Sequence, residues 1–298
     1  MFEIADRLLA AVDAGARLAV ATAISIEGSA PRTVGTSMAF DGASVIGSIA
    51  GGCVEGQVVE TCELVLADGV PRTVEFGVTD ETAFEVGLTC GGQLRIHVQV
   101  LTEQLIDGLR TGSDVEVCSE FTDRPRVARS MIIFGSMEYS SALAAAAHVV
   151  GFDVTVCDPR PLFTTQARFP AATVVVQWPT EFLRAARTDA STVICVLSHD
   201  ARFDAELIAL ALELPVAYVG AMGSRVTHDR RIASLRERGV SEEAVLRLHS
   251  PIGLDLGAST PEETAVSILA EVLSARSDTT ALPLTVTRGE IHSRRIDA

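Results

Sequence analysis

The second half of the chain alternates short apolar runs with helix-like segments, and this alternation restricts the possible folds more than any other feature. The apolar runs predict strands at 130–134, 153–157, 172–177, 192–197 and 216–220. Strands that alternate with helices are joined by crossovers, which make the strands parallel and cover the sheet on both faces. With right-handed crossovers, the pattern predicts a Rossmann-like, doubly wound parallel-sheet domain.

The first half is less regular and predicts a mixed α/β domain. Apolar residues at helical spacing indicate a helix at 2–14. The dipeptide Asp41-Gly42, which lies between two apolar runs, is typical of a β-hairpin turn. A polar, proline-containing stretch at 122–129 shows neither the helical nor the strand period of apolar residues. We therefore predict an N-terminal domain at 1–124 and a C-terminal Rossmann-like domain with a polar tail at 125–298.

Charge and composition exclude several classes of function. The 298 residues carry a formal net charge of −15, and the 24 basic residues are all arginines. This charge repels nucleic acids and acidic membrane surfaces, so neither is expected as a partner. Without lysine, a Walker A phosphate loop and a Schiff-base enzyme are excluded. Because no apolar run approaches the roughly 20 residues of a membrane helix and no signal peptide is evident, we expect a cytoplasmic protein without a membrane span.

Two turns combine cysteine with paired glycines. The sequence GSIAGGCVEG at 47–56 lies between a strand-like and a helix-like run. Glycines leave backbone N–H groups uncovered, and a helix N-terminus adds partial positive charge, which favours an anion and a thiolate there. The turn therefore offers Gly51, Gly52 and Cys53 as candidate ligand-binding residues. For a single cysteine, a small buried residue in a tight turn is the alternative interpretation.

The second of these turns has the sequence GLTCGG at 87–92 and offers Cys90, Gly91 and Gly92. Two such turns in one chain favour function over chance. The cysteines form no Cys-x-x-Cys pair, which counts against a structural zinc site.

The first turn of the Rossmann-like domain carries half of the dinucleotide-binding fingerprint. Gly135 is present, but Met137 and Ser140 stand where the second and third glycines are needed for a pyrophosphate. Asp158 ends the second strand, where an acid that binds ribose is expected. Either the domain binds NAD or NADP, or it keeps the fold with a lost or changed ligand.

Further candidates lie in other loops. Arg32 lies in a loop at 27–36 that is rich in glycine, proline, serine and threonine, and it is a candidate anion ligand, or else a solvated charge. The glycine turn at 220–225 offers Gly220, Ser224 and Arg225, of which Arg225 can hold a phosphate or pair with a surface carboxylate. His199 follows the fourth strand, but no Gly-x-Ser-x-Gly elbow accompanies it, which argues against a hydrolase triad.

Together these stretches resemble the XdhC/CoxI family of accessory proteins for xanthine and carbon monoxide dehydrogenases. The matching motifs are GGCVEG at 51–56, GLTCGG at 87–92, VCDPR at 156–160, YVGAMGSR at 218–225 and PIGLDLG at 251–257. They follow in the same order along nearly the whole chain. One departure is GSME at 135–138, where the family usually carries Gly-Ala-Gly-His.

The resemblance implies a cofactor-insertion chaperone without a catalytic residue of its own. Such proteins bind the molybdenum–pterin cofactor, assist its sulfuration and pass it to an apo molybdenum hydroxylase. Cys53 and Cys90 are then the expected metal-contacting thiolates, since soft ligands suit this metal, and the glycine N–H groups with Arg32 hold the anionic part. A cysteine desulfurase is a further candidate partner, and a homodimer is expected. The alternatives are an NAD(P)-dependent oxidoreductase and a scaffold that only stabilises the apo-enzyme.

Overall fold

The computed structural model of the chain describes residues 1–28, 32–77, 92–125, 129–277 and 279–288. The chain divides into two compact units, Met1–Arg126 with Leu284–Ala298, and Val127–Pro283. Each unit has its own sheet and its own core. The helices among the described residues are too short or too polar to cross a bilayer.

The first unit is built on an antiparallel sheet, and its central strand is buried on both faces. The strand order is β3-β2-β1-β5-β4, with each neighbouring pair antiparallel. Along β1 the side chains alternate: Ala21 and Ala23 face one core, and Val20 and Ile24 face the other. The strands are β1 (Ala19–Glu27), β2 (Ser37–Phe40), β3 (Val45–Gly47), β4 (Arg72–Phe76) and β5 (Gln93–Val100).

Helices cover both faces of this sheet. The helices are α1 (Ala5–Asp13), α2 (Glu55–Asp68) and α3 (Glu103–Thr111), and a small hairpin is formed by β6 (Val115–Cys118) and β7 (Phe121–Asp123). α2 packs on one face through Val58 and Val65, whereas α1 and α3 pack on the other through Leu8 and Leu105. This arrangement confirms the predicted mixed α/β architecture.

The second unit is a parallel six-stranded sheet with the order β10-β9-β8-β11-β12-β13. Numbered within the unit, this is the order 3-2-1-4-5-6 of a Rossmann fold. The prediction of a doubly wound domain is therefore confirmed. The strands are β8 (Arg129–Phe134), β9 (Phe152–Cys157), β10 (Thr173–Val175), β11 (Val193–Val196), β12 (Tyr218–Ala221) and β13 (Leu248–His249).

Two layers of helices enclose this sheet. α4 and α9 cover one face through residues such as Leu143 and Ile268, and the remaining helices cover the other through residues such as Leu207 and Leu235. The helices are α4 (Glu138–Val149), α5 (Pro179–Ala185), α6 (Asp204–Glu213), α7 (Arg225–Glu237), α8 (Glu242–Leu246) and α9 (Pro261–Ser277).

The sixth strand, β13, lies where the sequence predicted a loop. It has two residues, too few for any period to be visible, and it pairs with β12 through Gly220 and His249. The Tyr218 ring stacks on His249 with centroids 4.4 Å apart, and the Tyr218 hydroxyl donates to Glu271 of α9 at 2.5 Å. Contacts that are remote in sequence therefore hold this strand in place.

Gly220 illustrates how closely β12 packs against the following loop. A Cβ at this position would lie 2.5 Å from Ile252 Cδ1 and 2.6 Å from Tyr218 Cε1. Gly220→Ala is therefore expected to destabilise the second unit by about 1–3 kcal/mol, because the added methyl overpacks a buried site. Urea unfolding followed by the fluorescence of Trp178, the single tryptophan, which lies in this unit, measures the effect.

Gly56→Ala is the matched control for that substitution. Gly56 lies in α2 of the first unit, and the position that an added methyl would take has open space around it to 4 Å. The substitution should not destabilise the protein, since the added methyl meets no atom and alanine is favoured over glycine in a helix. An unaltered transition in Gly220→Ala as well would contradict the packing argument.

Candidate functional site

The glycine turn that precedes α2 is folded around a carboxylate of the chain itself. Both oxygens of Glu55, the first residue of α2, accept hydrogen bonds from the turn that leads into the helix. The five donors are the Ser48 hydroxyl at 2.8 Å and the backbone N–H groups of Ile49 at 3.2 Å, Ala50 at 2.9 Å, Gly52 at 2.8 Å and Val54 at 3.2 Å.

This arrangement differs from the sequence-based expectation that these N–H groups are uncovered. The anion that the turn binds is Glu55, and the N–H of Gly51 donates to the Ser48 hydroxyl at 3.2 Å. Burial works to raise the pKa of Glu55, but the donated hydrogen bonds outweigh it and lower the pKa to about 2. Gly51 and Gly52 have φ values of +75° and +116°, which explains the glycine pair.

Cys53 lies on this turn and is partly exposed. Its Sγ is 3.9 Å from the Ala50 carbonyl oxygen, and the side chain packs against the edge of the α2 core. By contrast, Cys62, Cys157 and Cys195 are buried, and burial raises the pKa of each thiol. Among the described cysteines, Cys53 is therefore one of two with access to solvent, the other being Cys118.

The other predicted ligand-binding residues of the first unit differ in their surroundings, and some lie outside the described residues. Cys90 and Gly91 lie outside the described residues, so their role stays a prediction. Gly92 is buried directly before β5. Arg32 donates to Glu3 at 2.7 Å, so its guanidinium already has a carboxylate partner, although the side chain is 41% exposed. Among the described residues, no group of three or more His, Cys, Asp and Glu side chains is arranged to hold a metal ion.

The second unit has a cavity of about 400 Å³ at the carboxyl ends of its strands. It opens between β8 and β11, where the strand order reverses, and ligands bind at this position in open α/β sheets. Its lining comes from the loops after β8, β9, β11 and β12. The residues are Gly135, Met137, Tyr139, Asp158, Pro159, Arg160, Leu197, Ser198, His199, Asp200, Ala201, Phe203 and Met222.

Asp158 lines this cavity, and its carboxylate already accepts hydrogen bonds from Arg160. Arg160 donates from its Nε and backbone N–H to one oxygen, each at 2.9 Å, and from a terminal nitrogen to the other at 2.7 Å. Burial works to raise the pKa of Asp158, but these hydrogen bonds outweigh it and hold the pKa below its usual range. A ribose hydroxyl therefore meets a carboxylate that is engaged on both oxygens.

The same arrangement recurs across the cavity, where it follows β11. Arg202 donates its backbone N–H at 3.0 Å and its guanidinium to Asp200. We call each of these two residue pairs, Asp158 with Arg160 and Asp200 with Arg202, an Asp–Arg clasp. The sequence analysis named Arg160 only as part of the VCDPR motif and did not name Arg202, although the Asp-x-Arg spacing was visible after two strands.

Buried charges support the floor of the cavity. The Ser198 hydroxyl donates to Asp204 at 2.5 Å, and burial raises the pKa of Asp204. The buried Arg231 of α7 donates to the carbonyl of Met222 at 2.9 Å and to the Ser250 hydroxyl at 2.7 Å. These contacts fix the loops that carry the lining residues.

The glycine turn after β12 has clear structural roles. Gly220, which the structure places inside β12, packs against the loop that follows β13, and Ser224 in the turn caps α7 by accepting the N–H of Thr227 at 3.1 Å. Arg225 is the first residue of α7 and is exposed. Binding of a cofactor by these three residues stays a prediction.

Fold and site together define the class: an α/β protein with a cysteine-bearing glycine turn on an antiparallel sheet and a Rossmann domain with a cavity at its switch point. Residues 131–272 match the XdhC Rossmann domain, and residues 11–77 match the XdhC and CoxI family. The chain belongs to the XdhC and CoxI family.

Curated relatives cover most of the chain. The uncharacterized protein YqeB of Escherichia coli strain K12 is 29% identical over 87% of this chain, which spans 44% of that protein. A probable xanthine dehydrogenase subunit from Bacillus subtilis strain 168 is 25% identical, over 86% of this chain and 92% of its own. The molybdenum cofactor insertion chaperone PaoD of Escherichia coli strain K12 is 26% identical, over 89% and 86%.

A solved structure shows the same fold. A crystal structure described as a xanthine dehydrogenase from Bacillus halodurans superposes with a TM-score of 0.77 at 24% identity. The match covers 95% of this chain and 98% of that one.

Glu55→Gln is expected to weaken the first unit by about 1–3 kcal/mol at neutral pH, after allowance for solvent screening, because five donors lose a charged acceptor. Folding lowers the pKa of Glu55 from 4.5 to about 2, so its stabilisation is complete above pH 4.5 and is lost as the pH falls toward 2. The difference in unfolding free energy between wild type and variant should shrink over that interval. Urea unfolding followed by circular dichroism at several pH values measures it.

Glu60→Gln is the control for this experiment, since Glu60 is an exposed glutamate on the same helix. It should change the unfolding free energy by less than about 0.5 kcal/mol. A difference for Glu55→Gln that stayed constant from pH 7 to pH 2 would show that the ionised carboxylate does not hold the turn.

Proposed function

We propose that this protein is an accessory factor of a molybdenum hydroxylase, which binds the molybdenum–pterin cofactor, assists its sulfuration and inserts it into the apo-enzyme. The family and the relative named as a molybdenum cofactor insertion chaperone support this function. The cofactor is the cargo in this proposal, and the chain itself supplies no catalytic residue.

The observation that carries the proposal is the presentation of Cys53 on a turn that Glu55 holds in one conformation. Thiolates are soft ligands suited to transition metals. Because the five donors around Glu55 fix the backbone, Cys53 is offered to a ligand with little further ordering. We propose that Cys53 and Cys90 contact the molybdenum end of the cofactor, and that the glycines beside them allow close approach.

Arg32, Gly51, Gly52, Gly91 and Gly92 complete the proposed ligand set in the first unit. The N–H groups of Ile49, Ala50, Gly52 and Val54 are engaged by Glu55 and that of Gly51 by Ser48, so we propose that Arg32 supplies positive charge to the anionic part of the cofactor. It is already paired with Glu3, which an arriving phosphate would have to replace. The proposed partners are an apo molybdenum hydroxylase and a cysteine desulfurase, and the proposed assembly is a homodimer.

Cys53→Ser is expected to weaken binding of the molybdenum cofactor at least tenfold, because a hydroxyl is a much poorer ligand for a soft metal centre. The molybdenum that co-elutes with the protein in gel filtration, measured by mass spectrometry across a range of protein concentrations, gives the affinity. Cys118→Ser is the matched control, since Cys118 is also partly exposed and lies in the same unit. Equal binding by the two variants would contradict the role of Cys53.

The scaffold alternative is tested with the same variants. If the protein only stabilises its client, the double variant Cys53→Ser, Cys90→Ser keeps full effect on the apo-hydroxylase. The present proposal expects the double variant to bind the client but to leave it without cofactor. Molybdenum content and activity of the client after reconstitution distinguish the two.

The second candidate function is an NAD(P)-dependent oxidoreductase, and the cavity at the switch point is the observation in its favour. Asp158 lies where it would bind the ribose, but Arg160 covers it. Met137, which lines the cavity, stands where a pyrophosphate needs glycine. Calorimetric titration with NAD and NADP tests this candidate, and we expect no binding below millimolar concentrations.

A further inference from the structure

The outer surface of the helix layer formed by α4 and α9 is apolar although it is exposed. Val149 of α4 is 84% exposed, and Val266 and Leu273 of α9 are 57% and 39% exposed. The two helices pack against each other on the same side of the sheet. We call their outer surface, which carries these three residues, the α4–α9 face. Large apolar side chains that are exposed together mark an interaction surface.

Charged residues are confined to the ends of this face. In α4 only Glu138 and His148 can carry charge, and they lie in the first and last turns. In α9 the charged residue between Glu263 and Arg276 is Glu271, whose carboxylate is hydrogen-bonded within the unit. In a chain of net charge −15, repulsion opposes the approach of a second copy. The middle of the α4–α9 face is a place where this repulsion is small.

The two helices point the same way, so the face has an acidic and a basic end. α4 ends at Val149, shortly before Phe152, and Arg276 near the end of α9 lies over the Phe152 ring at 5.5 Å from its centroid. The C-terminal ends of both helices therefore lie together. Their first turns, which carry Glu138 and Glu262, form the opposite end.

The pattern along α9 is complementary to itself when the helix is reversed. If α9 lies antiparallel on α9 of a second copy, with residue 269 at the centre, Glu262 meets Arg276 and Val266 meets Leu273. Each contact then occurs twice, as a two-fold axis requires. The aligned helix dipoles also favour an antiparallel partner. A parallel arrangement would instead place acid on acid and base on base.

We propose that the α4–α9 face is the interface of a homodimer, with each helix antiparallel to its own copy. The small side chains of Ala142, Ala145 and Ala146 let the two copies of α4 approach closely. The acidic end of each protomer lies on the basic end of the other. This inference rests on the homodimer of the proposed function and assigns its contact surface.

Sedimentation of the full chain, without molybdenum cofactor or client, tests the proposal at protein concentrations from about 1 to about 100 μM. We expect a dimer that dissociates on dilution. Leu273→Glu should raise the dissociation constant at least tenfold, because each dimer buries two copies of this residue. Leu246→Glu is the matched control, since Leu246 is 85% exposed on α8 in the opposite helix layer. It adds the same charge and should change the constant less than twofold.

An exchange of charges on α9 gives a signature that a merely structural role would not produce. Glu262→Arg and Arg276→Glu should each weaken the dimer at least threefold, because each places like charges opposite one another. The double variant restores opposite charges and should return to within twofold of wild type. Thermal unfolding followed by Trp178 fluorescence identifies a variant that fails to fold. Val149→Glu on α4 then tests the same face without altering α9.

Three results would overturn the proposal. The first is a wild-type chain that stays monomeric over the whole concentration range. The second is a dimer that Leu273→Glu and Val149→Glu weaken no more than Leu246→Glu does. The third is a double charge variant that dimerises no better than the single variants. A monomer whose binding to the apo-hydroxylase is lost in Leu273→Glu would assign the face to the client instead.

The outcome can be separated from that of the cofactor-insertion proposal. Dimerisation is measured without cofactor, and the test of cofactor binding compares Cys53→Ser with Cys118→Ser, neither of which lies in this unit. A chain that binds cofactor through Cys53 but stays monomeric would overturn the interface alone.

Discussion

The pairing of β8 with β11 is the interaction on which the second unit depends. Both strands are almost fully buried and are covered by helices on each face, so their apolar side chains fix their position in the sheet. Their connections leave toward opposite sides of the sheet, and a cavity opens where the following loops separate. The aspartates that end β9 and follow β11 reach this cavity because the burial of the strands places them there.

Carboxylates of the chain itself fill the places that an anionic ligand would use. Glu55 accepts hydrogen bonds from the glycine turn beside Cys53. Asp158 is paired with Arg160, and Glu3 is paired with Arg32. In a chain of net charge −15, this pairing satisfies the donors and reduces the repulsion among the acids. An anionic ligand at any of these places would have to replace an internal anion, which favours ligands with more than one matching group over simple anions.

Local sequence was sufficient where the structure depends on neighbours along the chain. The sequence TPEE at 260–263 is a capping-box pattern, and in the structure Thr260 and Glu263 form its reciprocal hydrogen bonds, each of 3.1 Å. The hairpin at Asp41 and the parallel strands of the second unit were also predicted, since period and turn chemistry are local properties. The occupation of the glycine turn by Glu55 was missed, because spacing alone does not show where a flexible side chain folds back.

The sequence by itself determined the fold class, the parallel strands of the second unit and the family resemblance, because these follow from apolar periodicity and from motifs in a fixed order. It also located Cys53 and Asp158 as candidate residues. Only the tertiary structure decided which donors those residues meet: the two-residue strand β13, the covering of Asp158 by Arg160 and the second clasp across the cavity. These depend on contacts between segments remote in the chain, and such contacts are set by packing in three dimensions.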